Sequence, residues 1–126
     1  MRNFMLILRG DTTTDFGEMS PDDMQQVIAE YEAWAGKLAG LGLLHGGEKL
    51  TDHEGRRMLP KGAGKVEVLD GPFQEAKEVV GGYYLISAES YDHAVELCQG
   101  HPNFRFGSIE IREVDAIDAG SRPEGT

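Results

Sequence analysis

Asp70-Gly71-Pro72-Phe73-Gln74-Glu75-Ala76-Lys77-Glu78-Val79-Val80-Gly81-Gly82-Tyr83-Tyr84-Leu85-Ile86 joins a tight turn, a charged segment and an apolar strand with no slack between them. Pro72 fixes its own φ at about −65° and steers Gly71 away from the helical region. Asp70 is placed to fold its carboxylate onto nearby backbone N–H groups, as Asp does at turns. Gln74 to Glu78 is polar and long enough for one solvated helical turn. Gly81-Gly82 lets the backbone bend or approach another group closely. Tyr83 to Ile86 is aromatic and aliphatic, and Val79 to Ala88 as a whole reads as a strand.

Upstream, Phe4-Met5-Leu6-Ile7-Leu8 is continuously apolar, which predicts a buried strand over Arg2–Leu8. Ser20-Pro21-Asp22-Asp23 predicts a helix start, with Ser20 as cap, Pro21 in the first turn and acids suiting the dipole. Met24, Val27, Ile28, Tyr31, Trp34, Ala35 and Leu38 then recur at helical spacing, and Gly40 and Gly42 stop the helix. Leu43 to Leu50 predicts a second strand, with Gly46-Gly47 marking a bulge or a close backbone approach. Arg56–Leu59 and Lys65–Leu69 predict a hairpin around Pro60 to Gly64.

Downstream, Ser90 predicts the cap of a second helix running to Gln99, with Tyr91, Ala94, Val95 and Cys98 facing inward. Gly107 to Val114 predicts the last strand. The order is β-α-β, hairpin, β-α-β, the split pattern of a ferredoxin-like α+β domain. One domain is expected over residues 1–115, with a frayed polar tail over 116–126. Both helices bury one stripe on one sheet face, yet neither main strand alternates cleanly, so the other face is apolar too. A sheet covered on one side only leaves a large exposed apolar area, and pairing two copies face to face removes it. A homodimer is therefore expected.

The Asp70-Gly71-Pro72-Phe73 turn, the following Glu75, Lys77 and Glu78, and the Gly81-Gly82-Tyr83-Tyr84-Leu85-Ile86 strand resemble the DGPF-type members of the YCII-related family. Trp34, Leu41-Gly42-Leu43-Leu44, His101-Pro102 and Gly107-Ser108-Ile109-Glu110-Ile111-Arg112 extend the resemblance in the same order, over roughly residues 2–114. Where the family usually has Thr this chain has Ala76, so that hydroxyl is missing here. The resemblance implies a dimeric, ferredoxin-like α/β-barrel. It implies little about activity, although some relatives carry a His–Asp pair in a pocket.

The chain holds 126 residues, one domain's length. Its net charge of −10, from 12 Lys and Arg against 22 Asp and Glu, argues against nucleic acid and anionic membranes. A single cysteine fits a reducing, cytoplasmic setting. The apolar run at Phe4–Leu8 is too short for a signal core or a membrane span.

The four histidines, His45, His53, His93 and His101, show no metal-ligand spacing, so no metal and no cofactor are expected. His45 sits on a strand beside two glycines and is an acid–base candidate. His101 follows Gly100 past a helix end, where the dipole favours a protonated ring and the plainer role is a C-terminal cap. Asp70 could orient either imidazole or act as base, against the plainer role of a turn carboxylate bonded to its own backbone. Cys98, on the apolar helix face, reads as an inert thiol. Trp34 and Tyr31 fall at core spacing, while Tyr83 and Tyr84 point to opposite faces of their strand.

Three readings remain open on these residues. One is a module binding a small organic ligand in a pocket near the Asp70 turn, with Asp70, Phe73 and Tyr83 lining it. The second is a cofactor-free proton-transfer or lyase enzyme with His45 or His101 as base and Asp70 as its orienting acid. The third is an interaction protein whose dimer is its whole product.

Overall fold

The structure is a computed structural model that describes residues 1–10, 20–51, 54–70 and 79–115. Six strands and two α-helices follow in the order β1 (Arg2–Gly10), α1 (Pro21–Gly40), β2 (Leu44–Lys49), β3 (Arg56–Gly62), β4 (Lys65–Asp70), β5 (Val79–Ala88), α2 (Tyr91–Cys98) and β6 (Gly107–Glu113). A short 3₁₀ helix, Pro102–Arg105, precedes β6. Four strands form an antiparallel sheet in the order β2-β5-β1-β6, and among the described residues β3 pairs only with β4. This strand order with two helices is the ferredoxin-like α+β arrangement, with the hairpin inserted between its second and third sheet strands.

The register sorts side chains by face. Phe4 stands opposite Ile86, Leu6 opposite Tyr84 and Ile111, and Leu8 opposite Gly82 and Ile109. Phe4, Leu6, Ile86 and Ala88 pack with Trp34 and Leu38 of α1 and Ala94 and Cys98 of α2. Both helices therefore lie on one face. The intervening residues Met5, Ile7, Tyr83 and Leu85 are half-buried on the other face.

Both helix starts are as the sequence predicts. Ser20 Oγ accepts from the Asp23 N–H at 3.1 Å, and Ser90 Oγ accepts from the His93 N–H at 3.0 Å. The inward stripes are narrower than predicted. Ile28, Tyr91 and Val95 are exposed, whereas Leu97, unpredicted, packs against the core. Helical spacing marks a side of the cylinder, but a four-stranded sheet covers only part of it. Tyr91 sits at the sheet corner, where its ring meets Phe4 at 4.9 Å and its hydroxyl accepts from the Glu113 N–H at 2.8 Å.

The bulge expected near Gly46-Gly47 is a register shift between Leu44 and Gly46, centred on His45. A Cβ on Gly47 would stand 2.7 Å from the Tyr84 ring and 2.8 Å from the Tyr83 carbonyl, so only glycine fits this close approach. The β3–β4 turn runs through Gly62, Ala63 and Gly64, all at positive φ.

Candidate functional site

The best-developed site is built around His101. Gly100, at φ 77°, ends α2 and turns the chain inward. Pro102 then opens the 3₁₀ helix with His101 as its N-cap, and His101 Nδ1 accepts from the Asn103 N–H at 3.0 Å. A ring nitrogen that accepts must be unprotonated, so the neutral ring carries its proton on Nε2. Nε2 is buried and has no hydrogen-bond partner among the described residues. Leaving a buried donor unpaired costs roughly 1–3 kcal/mol.

Three rings stand edge-on around the imidazole: Trp34 at 4.6 Å, Tyr31 at 5.1 Å and Tyr84 at 5.7 Å between centroids. Tyr31 and Trp34 come from α1 and Tyr84 from β5, so the packing of helix on sheet assembles the cage. Trp34 Nε1 is tied to the Leu97 carbonyl at 3.0 Å, which fixes its indole. Tyr31 donates its hydroxyl to Asn103 Oδ1 at 3.0 Å. Asn103 Nδ2 donates to the Arg9 and Ser108 carbonyls at 3.2 and 2.8 Å, tying the 3₁₀ helix to the end of the sheet.

Burial sets the electrostatics. His101 is 3% exposed, and desolvation pushes its pKa down to about 4. The expected dipole-favoured imidazolium is thus corrected: loss of water outweighs a helix end whose effect rarely exceeds about 1 kcal/mol. Burial also pushes the Tyr31 phenol up to about 12 and raises Tyr84. Cys98 is buried and its thiol is pushed up to about 11, which suits an inert core group.

The other sequence candidates lie elsewhere. His45 is on β2, and its Nε2 contacts Ser87 Oγ, which donates to Asn3 Oδ1 at 3.2 Å. That trio and Tyr83 sit on the sheet face away from the helices. Asp70 ends β4 on the hairpin, 89% exposed, with its carboxylate 3.2 Å from Arg56. Among the described residues no hydrogen bond or ion pair joins Asp70 to His45 or His101. Phe73 and His53 lie outside the described residues. No group of three or more His, Cys, Asp and Glu converges as a metal cage among the described residues. No described helix is long and apolar enough to cross a membrane.

Asn103, Ser87 and the Tyr31 hydroxyl did not emerge from the sequence. A signal existed for Asn103: His before Pro marks a helix cap, and a cap acceptor takes the N–H two residues on.

The family model of the YCII-related domain matches residues 4–118. An uncharacterized protein, R00369, of Rhizobium meliloti (strain 1021) is 30% identical over 106 residues, covering 82% of this chain and 86% of that relative. A solved structure, 5-chloro-2-hydroxyhydroquinone dehydrochlorinase of Burkholderia phenoliruptrix AC1100 in complex with 2,5-dihydroxybenzoquinone, is 18% identical at a TM-score of 0.47, covering 90% of this chain and 93% of that one. That likeness bears on neither the ligand nor the reaction of this chain.

Proposed function

The chain belongs to the YCII-related family, and from that premise we propose that it is a dimeric binding module for a small, flat organic ligand. The ligand's acceptor atom would meet His101 Nε2 and its body would lie among Tyr31, Trp34 and Tyr84. The observation that carries this reading is the unpaired, buried Nε2 donor inside a ring of aromatic side chains. Apolar walls with one convergent polar group are what small-molecule sites consist of. Tyr31 and Tyr84 are only half-buried, so the outer wall is within reach of solvent.

A binding role suits His101 better than proton transfer. With its pKa near 4, the ring is neutral at pH 7 and a poor base. As a fixed N–H donor it needs no change of protonation. Asp70, bound to Arg56, supplies no orienting acid in this arrangement. The dimer is supported by the second sheet face, where Met5, Ile7, Tyr83 and Leu85 lie between the polar Asn3–Ser87–His45 corner and an Arg9–Glu110–Arg112 ionic edge. An apolar centre with a polar rim is the anatomy of a protein interface.

Two amide variants, His101→Asn and His101→Gln, test the ligand site. Asn at position 101 keeps the Nδ1-like cap but removes the Nε2 donor. Gln keeps a donor near the Nε2 position. Benzamide, benzoate and phenol are titrated while the emission of Trp34, the only tryptophan, is followed. Saturable quenching in the wild type, lost in His101→Asn and retained in His101→Gln, is the expected result. Equal binding by His101→Asn, or no response to any probe, would remove the reading.

A further inference from the structure

The β3–β4 hairpin has an apolar face that its own molecule leaves uncovered. Met58 pairs with Val68, and Pro60 with Val66, so these four side chains share one face of the ribbon. Met58 is 65%, Val66 52% and Val68 56% exposed. Among the described residues the ribbon pairs only with itself and is not hydrogen-bonded to the four-stranded sheet. A two-stranded hairpin is marginal in water by itself and needs a surface to pack on.

Charge selects that surface. Residues 54–70 hold four of the chain's twelve Lys and Arg but three of its twenty-two Asp and Glu, leaving eight cations against nineteen anions elsewhere. Lys61 and Lys65 flank the turn at the ribbon's tip, both exposed. The outer surfaces of the helices carry acids instead: Asp22, Asp23 and Glu32 on α1, Asp92 and Glu96 on α2. A basic ribbon on an acid-rich body complements a second body of the same kind.

We propose that the hairpin is an arm that packs its Met58–Pro60–Val66–Val68 face on the acid-rich body of a second copy of this chain. This rests on the dimer reading above and adds a contact to it. Apolar burial supplies the affinity, and the lysines at the tip set the register against the partner's carboxylates. The ribbon gains through association the cover that its own sheet does not give.

Sedimentation equilibrium tests the arm on three proteins: the wild type, Val66→Asp with Val68→Asp, and Lys61→Glu with Lys65→Glu. Far-UV circular dichroism and Trp34 emission verify that the four-stranded domain is intact in each. The wild type is expected to dimerise, and both variants to weaken dimerisation at least about tenfold. A wild-type dimer with unchanged variants overturns the arm and leaves the dimer standing. A monomeric wild type overturns both. In a mixed sample, methyl groups of Met58, Val66 and Val68 on one copy are expected to show Overhauser contacts to amides of the other, and contacts confined within one copy overturn the arm.

Discussion

At the scale of single residues, His101 couples the stability of the fold to pH. Its pKa falls from an ordinary 6.5 to about 4 on burial. The unfolded chain therefore binds a proton below pH 6.5 that the folded chain refuses until about pH 4. Stability from this group is complete above pH 6.5 and declines as pH falls between the two values, by roughly 3 kcal/mol at most. Urea titrations from pH 7 to pH 4 are expected to show this decline in the wild type and a flatter curve in His101→Gln, the difference isolating the imidazole from the carboxylates. A wild-type curve as flat as the variant's would contradict the buried neutral ring. The sequence singled out His101 through Gly100 but put it just past a helix end, with the dipole favouring a protonated ring. Its burial is decided by Tyr31, Trp34 and Tyr84, distant in the chain, and their spacing says that they are core without saying which imidazole they enclose. Asp70 shows the same limit, because its partner Arg56 becomes a neighbour only when the hairpin closes.

Elements were more legible than contacts, because periodicity and caps act locally. Ser20, Pro21, Ser90 and the run from Val79 to Ala88 placed two helices and a central strand where the structure has them. The hairpin was legible too, although its strands run through Pro60 to Gly62 rather than stopping at Leu59. A ribbon with no sheet beyond it has room for a proline that lacks a donor. What periodicity could not supply was the width of each buried stripe, hence the exposed Ile28 and Val95. Sheet pairing also imposes a constraint that no pattern reveals. A Cβ on Gly107 would collide with the Arg9 carbonyl oxygen and lie 2.8 Å from Gly10 Cα, whereas one on Gly10 would meet nothing within 4 Å. Gly107→Ala is expected to destabilise by roughly 2 kcal/mol or more in urea unfolding, since neighbouring backbone cannot step aside within a paired ladder. Gly10→Ala serves as the tolerated control, and equal stability of the two variants would show that β6 can shift.

For the whole molecule the issue is the sheet face that neither helix covers. If two copies pair there, Leu85→Asp places a carboxylate in the centre of the contact. Light scattering at micromolar concentration is expected to report a dimer for the wild type and a monomer for Leu85→Asp, with Trp34 emission unchanged because that residue lies on the opposite face. A variant that remains dimeric would mean that the copies meet elsewhere. The sequence argued for this pairing from the broken alternation of β1 and β5, and the register bears out the apolar second face. The identity of the proposed ligand was not legible in the sequence, since a donor and three rings define a chemistry and no single compound.

Arg2 Nε donates to Glu113 Oε2 at 2.8 Å, so β1 opens and β6 closes at one corner of the sheet. Asn103 is anchored at the opposite extremity of β1, on the Arg9 carbonyl. A fluorophore, affinity handle or resin attached at position 2 or at position 113 itself would leave from that shared corner. Immobilised protein should therefore present its Asn103 end outward whichever attachment point is chosen.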